Sequence, residues 1–351
     1  MAETGSGDRA VLRPPSVQGA TAGSIIFGPT PPSAPMTLDE TDTAVLTFLL
    51  DDGKMTNREV AQRTGISESA VSVRLRKLIN SGILVFSAVF DWEVAGFEWF
   101  VICRIKTRIR GPRLVCDDIL QLPQCEAATV VLGSHDIIAY FLATDRDDIG
   151  RVIDWLSNIE GIAKLDVDLA TDTTVNRHGR QLFLALDVPP IRLPAPRIEL
   201  DELDIAILQA LVEDGRQSSR NIARAFDVSE GTVRARITRM TQAGLMRVVA
   251  MVEPVALGMA GVIASVSVRA ERSRLDAIVK ELMALPHVVF AARCLGSCDI
   301  QLTVIATDAR ELMDLVGSTV QSVAGVLATD ALLFVDVVRF SPYMKRLTNG
   351  D

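Results

Sequence analysis

The 351-residue sequence has no apolar run approaching the roughly 18 residues that span a bilayer, so a membrane helix is excluded. Its N-terminus has no basic segment followed by an apolar one, so export is not expected. Histidine is scarce, at three residues, and the five cysteines are odd in number and lack metal-ligand spacing. That usage fits a reducing cytoplasm and gives no expectation of a metal, a cofactor or a nucleophile beside a base. Positive charge is also in deficit: 36 Lys and Arg face 44 Asp and Glu, a net charge of −8, with a pI near 5.1. Such a chain does not coat nucleic acid through bulk charge, although a local basic face is compatible with it.

What is present is enough apolar sequence for a core, 48% against 23% charged, in a length that predicts two or more domains. The most informative stretch runs from Gly65 to Gly82, GISESAVSVRLRKLINSG. Val71, Leu75 and Leu78 recur at helical spacing and form one apolar stripe. Ser67, followed by Glu68, reads as the helix start and Gly82 as the stop. Ser69, Ser72, Arg76 and Lys77 lie off the stripe. Short hydroxyls for base edges and cations for phosphates are what a helix needs to enter a DNA major groove.

The stretch occurs twice. An offset of 162 carries Leu38-Asp39 to Leu200-Asp201, Asp42 to Asp204, Gly53 to Gly215 and Ala61 to Ala223. The same offset carries Ser67 to Ser229, Val71 to Val233, Arg74 to Arg236, Gly82 to Gly244 and Gly96 to Gly258. Identities at a fixed spacing, at helix-start, turn and core positions, mark an internal duplication.

Taken in order, residues 1–36 are rich in Pro, Gly, Ser, Thr and Ala, and GPTPPSAP reads as a disordered leader around one apolar cluster, Ile25-Ile26-Phe27. Residues 37–90 read as a winged helix-turn-helix. A first helix starts near Asp39 and buries Val45, Leu46, Leu49 and Leu50. A second, capped by Thr56, covers Asn57–Thr64, and Gly65 makes the turn with positive φ. The recognition helix and the strand-like ILVFSAVF follow. Copy two has Asp227 at the turn, which tolerates that backbone less well. Residues 91–172 read βαββαβ, a ferredoxin-like pattern, ending in a strand over Ala163–Leu169. Residues 173–198 form a linker whose end, with Pro189-Pro190, Pro194 and Pro196, reads as a semi-rigid spacer, while LFLAL before it has the pattern of an edge strand. The second helix-turn-helix occupies 199–252, the second sensing unit 253–342 and a tail 343–351. The fold class is thus α+β, two winged helix-turn-helix units each followed by a βαββαβ domain.

LDETDTAVLTFLLDDGK and LDELDIAILQALVEDGRQSSRNIA, each followed by S-x-x-x-V-x-x-R and a closing Gly, resemble the leucine-responsive regulatory protein/AsnC family of transcription regulators. The resemblance covers roughly residues 37–172 and 199–342. It implies double-stranded DNA as partner, a small-molecule effector such as an amino acid, and sensing domains that dimerise through their sheets to present two recognition helices. Members ordinarily carry one copy, so this chain is expected to supply both halves of such a dimer, within a homo-oligomer.

The expected base readers are Ser69, Ser72, Thr232 and Arg234. Arg234 is the most informative, because Arg bonds guanine in bidentate fashion; its counterpart is Ser72, so the two helices should read different sequences. Arg76, Lys77 and Arg239 are expected on phosphates. Arg74 and Arg236 sit at the edge of the stripe, and two readings stay open for them: a phosphate contact, or a stem packed on the core with the head on a nearby carboxylate. Ser67 and Ser229 start the recognition helices. Thr56, Asn57, Ser218 and Ser219 start the second helices and read as backbone contacts, as caps, or as both. The effector turns implied by the family are Gly133-Ser134-His135-Asp136 and Gly296-Ser297-Cys298-Asp299, each with a glycine for close approach, amides, and an Asp; an unliganded strand turn is the alternative. His178 and His287 read as structural or exposed.

Two-copy chains of this architecture resemble sirohaem decarboxylases, which use His and Arg around a tetrapyrrole and carry a Tyr-Asn-x-Trp-Phe-like strand. The matching strands here, HDIIAYFLA and CDIQLTVIA, lack that pattern.

Overall fold

A computed structural model describes residues 38–176, 179, 192–254, 260–340 and 344–345. The leader, LFLAL, His178 and Gly258 lie outside these residues. Copy one begins with α1 (Glu40–Asp51), α2 (Asn57–Thr64) and α3 (Glu68–Asn80). Asp39 caps α1 by accepting from the Asp42 amide at 2.7 Å, while Asp42 accepts from the Asp39 amide at 3.3 Å. Two amides that a helix start leaves orphaned are thereby satisfied by each other's side chains. Thr56 caps α2, Ser67 caps α3, and Gly65 takes φ +72° between them. Copy two repeats the design in α6 (Glu202–Glu213), α7 (Ser219–Ala225) and α8 (Glu230–Gln242), with α4 (Pro112–Ile119) and α5 (Arg146–Asn158) lying in the sensing unit between. Asp227 holds its turn at φ +52°.

The wing departs from expectation. Each helix-turn-helix is followed by one strand, β1 (Leu84–Asp91) or β6 (Met246–Val252), and these pair with each other, antiparallel, from Leu84 opposite Val252 to Phe90 opposite Met246. The reason is burial. Every residue of β1 except Val85 is buried, so the strand has no wet face and needs cover on both sides. The loop after each first helix supplies part of it. Gly53 lies so close to Val249 and Ala250 of β6 that a Cβ would sit 2.6 Å from a backbone nitrogen, and Gly215 meets Phe86 and Ser87 of β1 in the same way, at 2.7 Å.

The first sensing unit runs β2 (Trp99–Thr107), α4 (Pro112–Ile119), β3 (Cys125–Leu132), β4 (Ile137–Ala143), α5 (Arg146–Asn158) and β5 (Ile162–Val175). The second runs β7 (Val262–Ala270), α9 (Leu275–Met283), β8 (Val288–Leu295), β9 (Ile300–Ala306), α10 (Ala309–Asp314) and β10 (Val326–Phe340), with a π turn after α10. Within each unit the order is last–first–third–second, all antiparallel. The two sheets close into one eight-stranded barrel because β5 continues onto β8 and β10 continues onto β3. The strand expected to stop at Leu169 therefore runs to Val175, inside the segment assigned to the linker. Its second half has no partner in its own copy and is held by the other, a pairing that local sequence does not encode.

Helices cover the outside: Val101, Cys103 and Ile105 of β2 pack with Val115, Ile119, Val152 and Leu156. The opposite face of β2, with Ile102, turns inward towards Ile138, Ala292, Leu332 and Phe334. The linker end, expected as a semi-rigid spacer, is a strap docked on the first copy. The Arg192 guanidinium lies 5.0 Å from the Phe97 ring centroid, and the Arg197 amide donates to the Val94 carbonyl at 2.8 Å. No helix among the described residues is long and apolar enough to cross a membrane.

Candidate nucleic-acid interface and effector turns

Both recognition helices lie at the surface. Ser67, Glu68, Ser69, Val73, Arg76 and Lys77 of the first are exposed, as are Ser229, Gly231, Arg234, Ala235, Thr238 and Arg239 of the second. Buried Val71, Leu75 and Leu78, with Val233 and Met240, fix the inner faces. Duplex therefore has access to both segments.

The hydroxyls are largely engaged in shaping the helix starts. Ser67 Oγ accepts from the Ala70 amide and shares a 2.9 Å bond with Ser69 Oγ; Ser229 Oγ pairs with Thr232 Oγ1 at 2.8 Å. Ser72 accepts from the Asn57 side-chain amide at 2.9 Å, which ties α3 to the start of α2. Thr56 and Ser218 both cap. Ser219 is the first residue of α7.

Of the two readings for Arg74 and Arg236, the structure displays carboxylate pairing. Arg74 Nη1 stands 2.6 Å from Asp39 and 2.6 Å from Asp42; Arg236 Nη1 stands 2.6 Å from Asp201 and 2.9 Å from Asp204. These pairs pull the pKa of both arginines up. The carboxyl of Asp39 is held low by the Asp42 amide and then Arg74, and that of Asp201 by Arg236 and then the Asp204 amide. Asp42 and Asp204 are buried, so each pair clamps the recognition helix to the first helix. Arg239, expected on phosphate, also turns back, to Asp204 at 2.5 Å and the Glu199 carbonyl at 2.8 Å. Arg236, Arg239 and Thr232 accordingly line a groove of about 1260 Å³ under the strap, shared with Leu193 and Ile198. The cations left facing outward are Arg76, Lys77 and Arg234, the last 70% exposed and linked to Glu230 one turn back.

Sequence reasoning missed Arg216. It crosses from copy two, lies 4.3 Å from the Phe86 ring centroid, donates to Asn57 Oδ1 at 3.2 Å and reaches the Met55 carbonyl. Burial pushes its pKa down. Its counterpart Lys54 is exposed, so only the offset comparison hints at a special role.

The effector turns lie at the junction of the copies, each against the last strand of the other: Gly133 touches Ala331 and Leu332, and Gly296 touches Val167 and Asp168. Asp136 and Asp299, expected to be available to a ligand, are engaged in the fold. Asp136 takes Lys106 at 2.7 Å, the Thr107 amide at 2.8 Å and the Thr107 hydroxyl at 3.1 Å. Burial raises its pKa, but these donors outweigh that and leave it low. Asp299 takes the Ala270 amide at 3.0 Å and Arg272 at 3.2 Å. The structure brings Ser134 and His135 into a chain that the sequence did not suggest: Ser134 Oγ donates to Asp330 at 2.5 Å and meets His135 Nδ1 at 2.8 Å, while His135 Nε2 meets Asp166 at 3.0 Å. Between the sheets a second network forms around buried Arg104. It bonds Asp168 at 3.0 Å and Ser267 at 2.6 Å, and Ser267 continues to Gln301 at 2.9 Å.

His287 pairs with Glu311 at 2.9 Å, and the Glu311 carboxyl is held down at about 2 by the Thr307 hydroxyl and amide and then His287. All five cysteines are buried. Burial pushes the Cys116 thiol up to about 12 and raises those of Cys103 and Cys125, which removes them as nucleophiles.

Three family models match the chain: a winged helix-turn-helix DNA-binding model at residues 38–85, an AsnC-type helix-turn-helix domain at 200–241 and an Lrp/AsnC ligand binding domain at 262–343. Among relatives, an uncharacterized HTH-type transcriptional regulator of Pyrococcus horikoshii is 33% identical over 145 residues, 41% of this chain and 91% of the relative. A second such regulator, from Pyrococcus abyssi, is 32% identical over 139 residues, 39% of this chain and 85% of its own length. Among solved structures, the siroheme decarboxylase NirDL superposes with a TM-score of 0.61 over 89% of this chain and 95% of its own, at 11% identity. That likeness is one of fold alone. The relatives span one copy and the fold neighbour spans two, and by the relatives and the models together this chain belongs to the Lrp/AsnC family of transcription regulators.

Proposed function

We propose that the chain binds double-stranded DNA through α3 and α8 and that a small molecule, an amino acid or related metabolite, tunes this binding from the sensing barrel. One observation carries the reading: two outward helix faces bearing Arg76, Lys77 and Arg234 are each clamped to a rigid three-helix unit. Preorganised cations on an exposed helix suit phosphate contact, and Arg234 at the start of α8 suits a base edge. The shared β1–β6 ribbon supports both units from one base, so a shift between the sheets of the barrel alters the spacing of the helices. Half-sites must fall about one duplex turn apart, so spacing controls affinity. Among the described residues the sensing barrel has no open edge strand. Assembly of further chains into a homo-oligomer therefore uses the helix-covered outside of the barrel.

Binding of the full chain to the DNA upstream of its own gene, with salt varied and each amino acid added in turn, tests the reading. The expected result is saturable, salt-dependent binding that one amino acid shifts several-fold. Affinity no better than for unrelated duplex would overturn it. The second reading, a sirohaem-decarboxylase-like enzyme, is favoured by the fold neighbour that spans both copies. Against it stand the two described histidines, both occupied by carboxylates. Purified protein carrying a Soret band would reinstate it.

A further inference from the structure

The two effector turns match residue for residue at three of four positions, and their glycines share an unusual backbone, φ +148° at Gly133 and +154° at Gly296. They differ in what faces them. With Gly161 aligned to Gly325 and Asp166 to Asp330, an offset of 164, the residue at Asp168 in β5 becomes Leu332 in β10. Asp168 is fully buried, and its carboxylate accepts from the Ser297 amide at 2.5 Å, the Cys298 amide at 3.0 Å and the Ser297 hydroxyl at 3.0 Å. Arg104 closes the set from the other side at 3.0 Å. Gly296 makes this possible, since a Cβ there would stand 2.4 Å from the same carboxylate oxygen. Two successive amides, a hydroxyl and a guanidinium are the donors that a free α-carboxylate would seek.

We propose that Asp168 is a resident carboxylate that closes the second turn to carboxylate ligands and leaves each chain with one open effector turn, Gly133–Asp136. The proposal deepens the effector reading above and rests on it for the use of the first turn. Asp330 takes the Ser134 hydroxyl and Asp166 the His135 ring, but Leu332 offers no acceptor where Asp168 does, and among the described residues none accepts from the Ser134 or His135 amide; the opening in the first turn is therefore its pair of main-chain amides. A carboxylate ligand could enter the second turn only by evicting Asp168, which would strand that buried carboxylate without its donors. Because Asp168 is already in place it has no association entropy to lose, and a free carboxylate does. The asymmetry gives a chain with two recognition helices a single input.

The test uses the full ¹⁵N-labelled chain, with sodium acetate as the probe. In the unaltered chain the Ser297 and Cys298 amides should exchange with solvent roughly 10- to 100-fold more slowly than those of Ser134 and His135. Acetate should shift Ser134 and His135 and leave Ser297 and Cys298 unmoved. In Asp168→Ala the protection at Ser297 and Cys298 should be lost, and acetate should now shift them as it fills the vacated place. Acetate shifts at Ser297 and Cys298 in the unaltered chain, or none there in Asp168→Ala, would overturn the proposal. Should that variant not fold, exchange and acetate response in the unaltered chain still decide. Silence at Ser134 and His135 alone would remove the effector reading of the first turn while the closed second turn stood.

Discussion

Copy one and copy two agree where each presses on the other's backbone and differ at a few side chains. Gly53 and Gly215 press equivalent loops onto β6 and β1. Backbone offers the same atoms to both copies, so the pseudo-twofold holds there. Side chains do not. Arg216 reaches Asn57 in copy one, while Lys54 is exposed; Ser72 is bonded by Asn57, while its counterpart Arg234 projects outward. A duplicated chain can thus build a symmetric scaffold and an asymmetric function on it, because the scaffold depends on main-chain contacts and the function on a few side chains.

The largest effect should come from breaking the symmetric part. Gly215→Ala and Gly53→Ala each push a Cβ into main-chain atoms of the β1–β6 ribbon at under 3 Å. Backbone cannot swing aside, so each change should cost about 1–3 kcal/mol by denaturant titration, and by similar amounts if the scaffold is truly two-fold. A cost at one site alone would show that the ribbon is not shared equally.

Next comes the asymmetry of the recognition helices. Arg234→Ala should lower affinity by roughly 10- to 100-fold and relax discrimination at one or two base pairs. Ser72→Ala, whose hydroxyl is already engaged, should change affinity by about threefold or less. Competition between sequence variants of one operator reads both. Uniform weakening by Arg234→Ala across all sequences would assign it to phosphate instead.

Much of the scaffold was legible because it is local. The α2 bounds, the Thr56 and Ser67 caps and the positive φ at Gly65 and Asp227 follow from short-range rules and occur as read. Sites proved harder. Arg74 sits three residues from Val71, so its spacing fitted either reading, and only the fold shows how near Asp39 and Asp42 are. Asp136 and Asp299 carry the right chemistry for a ligand, yet both lock their turns to the first strand of their unit, β2 or β7. Closure of the barrel was out of reach for the same reason as the shared ribbon. The second halves of β5 and β10 bond to the other copy, and period-two patterning says nothing of which strand lies alongside.

A smaller effect separates Arg216 from Lys54. Arg216→Ala removes a cation from the face of Phe86 and a bond to Asn57, and should cost about 1–2 kcal/mol. Lys54→Ala should stay within about 0.5 kcal/mol. Equal costs would mean that the link between the two helix-turn-helix units runs through the ribbon alone.

The smallest effect is one in which the copies should match again. Asp39 and Asp201 are both held below the ordinary carboxyl value by arginine and by a capped amide. A carboxyl whose folded pKa is depressed binds fewer protons folded than unfolded, so its contribution is complete above the unfolded pKa, about 3.9, and fades as pH falls through the folded one. Thermal midpoints should therefore be level from about pH 7 to 5 and decline below about pH 4. Asp39→Asn and Asp201→Asn should each flatten that acid slope, and by the same amount, because each keeps a helix cap but removes the titrating charge. A slope that responded to one substitution and not the other would place the acid-sensitive clamp in a single copy, and the two recognition helices would then have to be treated as mechanically distinct.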